Sequence, residues 1–98
     1  MFDKETAEKK IVESINADYH ADDDELVIVR DETIEKDYGW IFFYNSKKYQ
    51  RTGELSDRLA GNGPVLFEKD SGQMHHLGTH HPPDELIREF EAKRLLSE

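Results

Sequence analysis

Trp40-Ile41-Phe42-Phe43-Tyr44 is apolar at every position, and its reading decides the fold. Successive side chains on a strand point to opposite faces, so Trp40, Phe42 and Tyr44 share one face while Ile41 and Phe43 share the other. Such a strand is either central and covered on both sides, or covered on one side with the other used for binding. For most of these aromatic residues, a place in the core is the better expectation than a role as interface anchors.

Working outward, Lys36-Asp37-Tyr38-Gly39 supplies turn chemistry just before this strand. Leu26-Val27-Ile28-Val29, mostly β-branched and too short for a helix, starts a strand that continues through Thr33 and Ile34. The two strands predict a hairpin. On the other side, from Asn45 to Gly63, the pattern dissolves into Lys47, Lys48, Gln50, Arg51, Thr52 and Gly53, with at most one helical turn over Glu54–Ala60. This stretch reads as a surface loop, and connections longer than about 12–15 residues are usually functional or mobile, which makes it a candidate contact surface. Pro64 then opens a third strand, Val65–Glu68, and Lys69-Asp70-Ser71-Gly72 turns the chain into a fourth, Gln73–Leu77.

Both ends read as helices. Ala7, Ile11, Val12 and Ile15 recur at helical spacing from about Asp3 to Ala17, and Asn16 with Asp22, Asp23 and Asp24 ends that segment. Pro82 and Pro83 sit where a helix can begin, Asp84 and Glu85 suit its first turn, and Leu86, Ile87, Phe90 and Arg94 with Leu95 form its stripe. The expected architecture is α+β: a four-stranded antiparallel sheet made of two hairpins, with N-terminal and C-terminal helices packed on it, in one domain spanning residues 1–98.

The chain has 98 residues, enough for one modest core, with 36% hydrophobic and 36% charged residues. Thirteen Lys and Arg against 22 Asp and Glu give a formal charge of -9, which repels phosphate backbones and points away from nucleic acid. A basic protein partner suits this charge; simple solubility is the plainer reading of it. There is no cysteine, so neither a disulfide framework nor a thiolate site is available. The charged N-terminal segment Met1–Ala17 does not read as a signal peptide, and no run approaches the roughly 20 apolar residues of a membrane helix, so a cytoplasmic location is expected.

Catalytic and metal chemistry finds little support. His75, His76, His80 and His81 are the conspicuous cluster, but adjacent strand residues face opposite ways, and surface histidines near a turn are the plainer reading. Ser71 with His75 lacks a third orienting group, and the Asp22–Glu25 carboxylates read as a solvated run. Leu59-Ala60-Gly61-Asn62-Gly63-Pro64 lacks the setting of a dinucleotide or phosphate loop and reads as a tight turn. No catalysis, metal or cofactor is expected.

Gly39-Trp40-Ile41-Phe42-Phe43-Tyr44, Leu59-Ala60-Gly61-Asn62-Gly63-Pro64, Asp70-Ser71-Gly72, Leu77-Gly78-Thr79 and the helix start from Pro83 to Phe90, in this order and spacing, resemble the immunity protein 35 family, or YrhB-like domain. The likeness is clearest from Gly39 to Phe90. It implies a cytoplasmic bacterial protein, encoded beside a secreted polymorphic toxin, that binds the toxin and blocks it in the producing cell. It also implies an alternative role, as a small chaperone-like protein binding unfolded clients. Gly39, Trp40, Gly61, Asn62, Pro64, Gly72, Leu77, Gly78 and Thr79 match family positions that look structural.

The surface expected to meet a cognate bacterial toxin joins the acidic groups Asp22, Asp23, Asp24, Asp31, Glu32, Glu35 and Asp37 to the Asn45–Asn62 loop. Tyr38, Tyr49 and Arg51 are its candidate anchors.

Overall fold

The computed structural model describes residues 1–17, 19, 24–53 and 63–97. Among these residues, three helices, α1 (Lys4–Ala17), α2 (Lys47–Thr52) and α3 (Pro83–Ser97), accompany six short strands: β1 (Leu26–Ile28), β2 (Ile34–Lys36), β3 (Gly39–Phe42), β4 (Tyr44–Ser46), β5 (Val65–Glu68) and β6 (Met74–His76). The main sheet has the order β2-β3-β5-β6, antiparallel throughout, as two hairpins joined along β3 and β5.

At the centre, Trp40 lies opposite Phe67, Ile41 opposite Leu66 and Phe42 opposite Val65. Ile41, Phe42, Val65, Leu66 and Phe67 have no exposed surface. Alternation sends Trp40, Phe42, Val65 and Phe67 to one face, where Ala7, Ile11 and Ile15 of α1 complete a core with Leu26. It sends Ile41 and Leu66 to the other, against Ile87 of α3, with Ile34, Tyr38, Phe43, Leu77 and Phe90 around them. The two helices therefore cover opposite faces, and β3 is covered on both sides. Tyr44 packs half-buried at the edge of the α1 core.

Three local expectations are corrected. The strand expected to run from Leu26 through Ile34 is broken by a 3₁₀ turn, Arg30–Glu32, closed by Glu32 N–H to Val29 O (3.0 Å) and Thr33 N–H to Arg30 O (3.2 Å). Three consecutive charged residues have no apolar face to place on the sheet, so they turn outward. Its partner breaks at Phe43, so β1 pairs with β4 in a separate two-stranded ladder.

Asn45–Gly63 is not a loop throughout: Asn45 and Ser46 end β4, and 47–52 is helical. Ser46 caps this helix by accepting from the Tyr49 N–H, and Gly53, at φ 71°, ends it with its own N–H bonded to Tyr49 O. The helical turn expected over Glu54–Ala60 lies outside the described residues.

α1 starts after Asp3, whose carboxylate accepts from Thr6 N–H at 2.7 Å and is held below its ordinary range chiefly by Thr6.

Of the residues matched to family positions, Gly61 and Asn62 are outside the described set. Pro64 is buried, and its carbonyl accepts from Leu77 N–H at 3.0 Å; Gly72 lies under the Phe2 ring; Thr79 is exposed. Gly39 sits at φ 156°, where a Cβ would fall on the Phe67 carbonyl oxygen in the adjacent strand. Gly39→Ala should destabilise the domain by about 2 kcal/mol or more. Gly53→Ala, also at positive φ but with open space at the Cβ position, should cost only about 1 kcal/mol. Urea unfolding midpoints of the two variants give the comparison.

Candidate functional site

One carboxylate ties the start of β1 to the junction of β4 and α2. Asp24 Oδ1 accepts from Glu25 N–H (2.9 Å) and Lys48 N–H (3.1 Å), and Oδ2 accepts from Tyr19 OH (3.3 Å) and from Ser46 Oγ. Ser46, almost fully buried, in turn accepts from Tyr49 N–H at 3.2 Å. A carboxylate with this many donors is stabilised in its charged form, so Asp24 is held below the usual carboxylate range, Ser46 being the largest cause. Asp24, expected from the sequence to be part of an exposed acidic surface, is thus tied into the fold. Asp22 and Asp23 lie outside the described residues.

Asp31 and Glu32 are exposed on the 3₁₀ turn, Glu35 is exposed on β2, and Asp37 is exposed in the β2–β3 turn. Asp31 shares a surface with Glu5, Glu8, Lys9, Val12 and Glu13 of α1. An open groove of about 740 Å³ runs between α1 and β1, lined by Glu5, Glu8, Lys9, Val12 and Glu13 on one wall and by Val27–Asp31 on the other, with Gln50 of α2 beside it. Its middle is apolar (Val12, Val27, Ile28, Val29). Its rim carries Glu5, Glu8, Glu13 and Asp31 against Lys9 and Arg30, and Arg30 is paired with Glu8 at 3.1 Å. The signal for it was the i, i+3, i+4 set Glu5, Glu8 and Lys9, which continues at i+7 into Val12 of the apolar stripe of α1.

The three candidate anchors are not together. Tyr49 is half-buried and Arg51 exposed, both on α2. Tyr38 turns to α3 instead: its OH donates to Glu91 Oε2 at 2.8 Å, its ring lies 5.7 Å from that of Phe90, and Arg94 stacks 5.0 Å above it. Burial, and then Glu91, push its phenol above the ordinary range. Around α2 the surface is more basic, with Lys47, Lys48 and Arg51 lining a small cleft with Asp24 and Glu25.

The histidines divide into two environments. His75 Nε2 is 2.9 Å from Glu68 Oε2, and Glu68 also pairs with Arg94. His80, His81 and Glu89, all exposed, place one ligand atom each within 4.8 Å of one another, and form the cluster among the described residues with the donors to hold a metal. No described helix is long and apolar enough to cross a membrane.

Replacing Ser46 with Ala removes the α2 cap and one donor to Asp24, and should cost about 1 kcal/mol. Because the folded Asp24 carboxyl lies below its unfolded value of 3.8, its stabilisation is present above that value and is lost as pH falls below it. The Lys48 and Tyr49 amide resonances should therefore shift at acid pH before the sheet unfolds, and should lose that step in Asp24→Asn.

The family likeness carried by the sequence is shown by similarity to known proteins. The YrhB protein of Escherichia coli (strain K12) is 36% identical over 78 residues, covering 80% of this chain and 83% of its own. No solved structure matches. The family described as Immunity protein 35 matches residues 5–92, and the chain belongs to it.

Proposed function

We propose that this chain is a cytoplasmic immunity protein, one domain across residues 1–98, that binds a cognate secreted bacterial toxin and neutralises it by covering its active site or substrate groove. Membership of the immunity protein 35 family over residues 5–92 is the observation that carries this reading. The role is stoichiometric binding, without catalysis, cofactor, nucleic acid or membrane. Charge supports the kind of partner: at -9, the chain attracts a basic surface and speeds its arrival. Asp31, Glu32, Glu35 and Asp37 are exposed and supply part of that field, joined by the α1 carboxylates Glu5 and Glu13. Tyr49 and Arg51 of α2 serve as anchors, whereas the Tyr38 phenol is already engaged by Glu91. A chaperone that holds unfolded clients needs exposed apolar surface. Among the described residues, the large hydrophobic side chains that stand exposed are Met1 and Leu95, which favours the dedicated inhibitor.

The test is binding to the toxin domain encoded beside the gene, measured at two salt concentrations. One-to-one binding at nanomolar Kd or tighter, weakening with salt, is expected. Asp31→Lys with Glu35→Lys should lower the association rate about tenfold and leave the unfolding midpoint unchanged. Absence of binding, with protection of heat-stressed unrelated proteins, would instead establish the chaperone role.

A further inference from the structure

Among the described residues, β1 is paired with another strand on one side only, with β4. Lys47 N–H donates to Glu25 O and Val29 N–H to Phe43 O, both at 2.8 Å, with Val27 opposite Asn45 between them. Alternate residues of an antiparallel ladder turn both backbone groups toward the partner, so residues 25, 27 and 29 face β4, and Leu26 and Ile28 face the outer edge.

The outer edge is half occupied. Leu26 N–H donates to Asn16 Oδ1 at 2.8 Å, and Leu26 O accepts from Asn16 Nδ2 at 2.9 Å, so one side-chain amide stands in for a paired strand residue. One helical turn back along α1 is Val12, which lines the groove with Ile28 and has no polar group to offer. A further turn back, Glu8 meets Arg30. Among the described residues, the Ile28 N–H and C=O therefore have no hydrogen-bond partner, at the middle of a groove with an apolar floor and an acidic rim.

We propose that the partner completes this edge: an extended segment of a basic protein adds as a strand beside β1 and exchanges backbone hydrogen bonds with Ile28. Its apolar side chains lie against Val12, Val27 and Val29, and flanking Lys or Arg side chains meet Glu5, Glu13 and Asp31. The inference rests on the toxin-binding reading and names the segment chemistry that the reading leaves open. The groove volume alone would suit a small molecule, for which about 300–1,000 Å³ is typical. An open strand edge, however, asks for alternating backbone donors and acceptors, which a peptide supplies. A second copy of this chain is disfavoured as occupant, since each copy carries -9.

Amide hydrogen exchange on the full-length, isotope-labelled protein tests this, free and saturated with the toxin domain encoded beside the gene. In the free protein, the Ile28 amide should exchange about tenfold or more faster than Val27 and Val29, which are bonded to β4. In the complex, Ile28 should be slowed about a hundredfold, well beyond any change at its two neighbours, which separates strand addition from general stiffening. Val12→Lys, which puts a cation on the groove floor, should weaken binding about tenfold or more with the circular dichroism spectrum unchanged.

Binding that leaves Ile28 exchange unchanged would overturn strand addition while the inhibitor role stands. Protection of Ile28 already in the free protein would overturn it too, assigning the edge to a second copy or to the chain itself. Absence of any binding removes both readings.

Discussion

The structure depends on the pairing of β3 with β5, two strands that are apolar on both faces. Trp40, Phe42, Val65 and Phe67 need cover on one side, and Ile41 and Leu66 need it on the other. Each large side chain is worth about 1.5–3 kcal/mol when buried, so leaving either face open would forfeit a substantial part of what holds a domain of this size. That constraint recruits α1 to one face and α3 to the other. It also explains why these helices carry narrow apolar stripes and are charged elsewhere: each has one sheet face to serve and solvent on its other sides.

Two-sided burial has a functional consequence. With both faces closed by helices, the sheet offers a partner only its edges and ends. The edge strands β2 and β6 have three residues each, and β2 carries Glu35 and Lys36, a pattern that discourages unplanned pairing. β1 is equally short, but its neighbours are valines and isoleucine, and its shielding by Asn16 stops after one residue. Among the described residues, this outer edge of the separate β1–β4 ladder is left partly open.

The elements set by two-sided burial were legible in the sequence, because Trp40–Tyr44, Val65–Phe67 and the two terminal stripes state their periodicity directly. The break at Arg30–Glu32 was less so. Leu26–Val29 and Thr33–Ile34 have the same strand character, and only the three charged residues between them, with no alternate apolar position, mark the kink. α2 was missed because a six-residue helix has no stripe long enough to show a period. Ser46 as its cap and Gly53 at its end were the available signals.

The reach of the candidate site was the least legible part. Asp24 looks like Asp22 and Asp23 in sequence, yet its role is fixed by Ser46 and Lys48, more than 20 positions away. The groove is likewise made of two segments that no local pattern connects.

Net charge conceals how the surface is divided. The α1–β1 groove carries four carboxylates against two cations, one of them already neutralising Glu8. The cleft at α2 has Lys47, Lys48 and Arg51 against Asp24 and Glu25, and Asp24 is turned inward to Ser46 and the Lys48 amide. The overall field sets how fast a basic partner arrives, but within about 10 Å, where screening no longer hides individual groups, the local division governs how it turns. Under the proposed reading, the basic part of a toxin is drawn to the α1 and Asp31 side, and an acidic or neutral part is left facing Arg51. An orientation fixed in this way also discriminates among toxins, since a uniformly basic surface would gain at the groove and lose at α2.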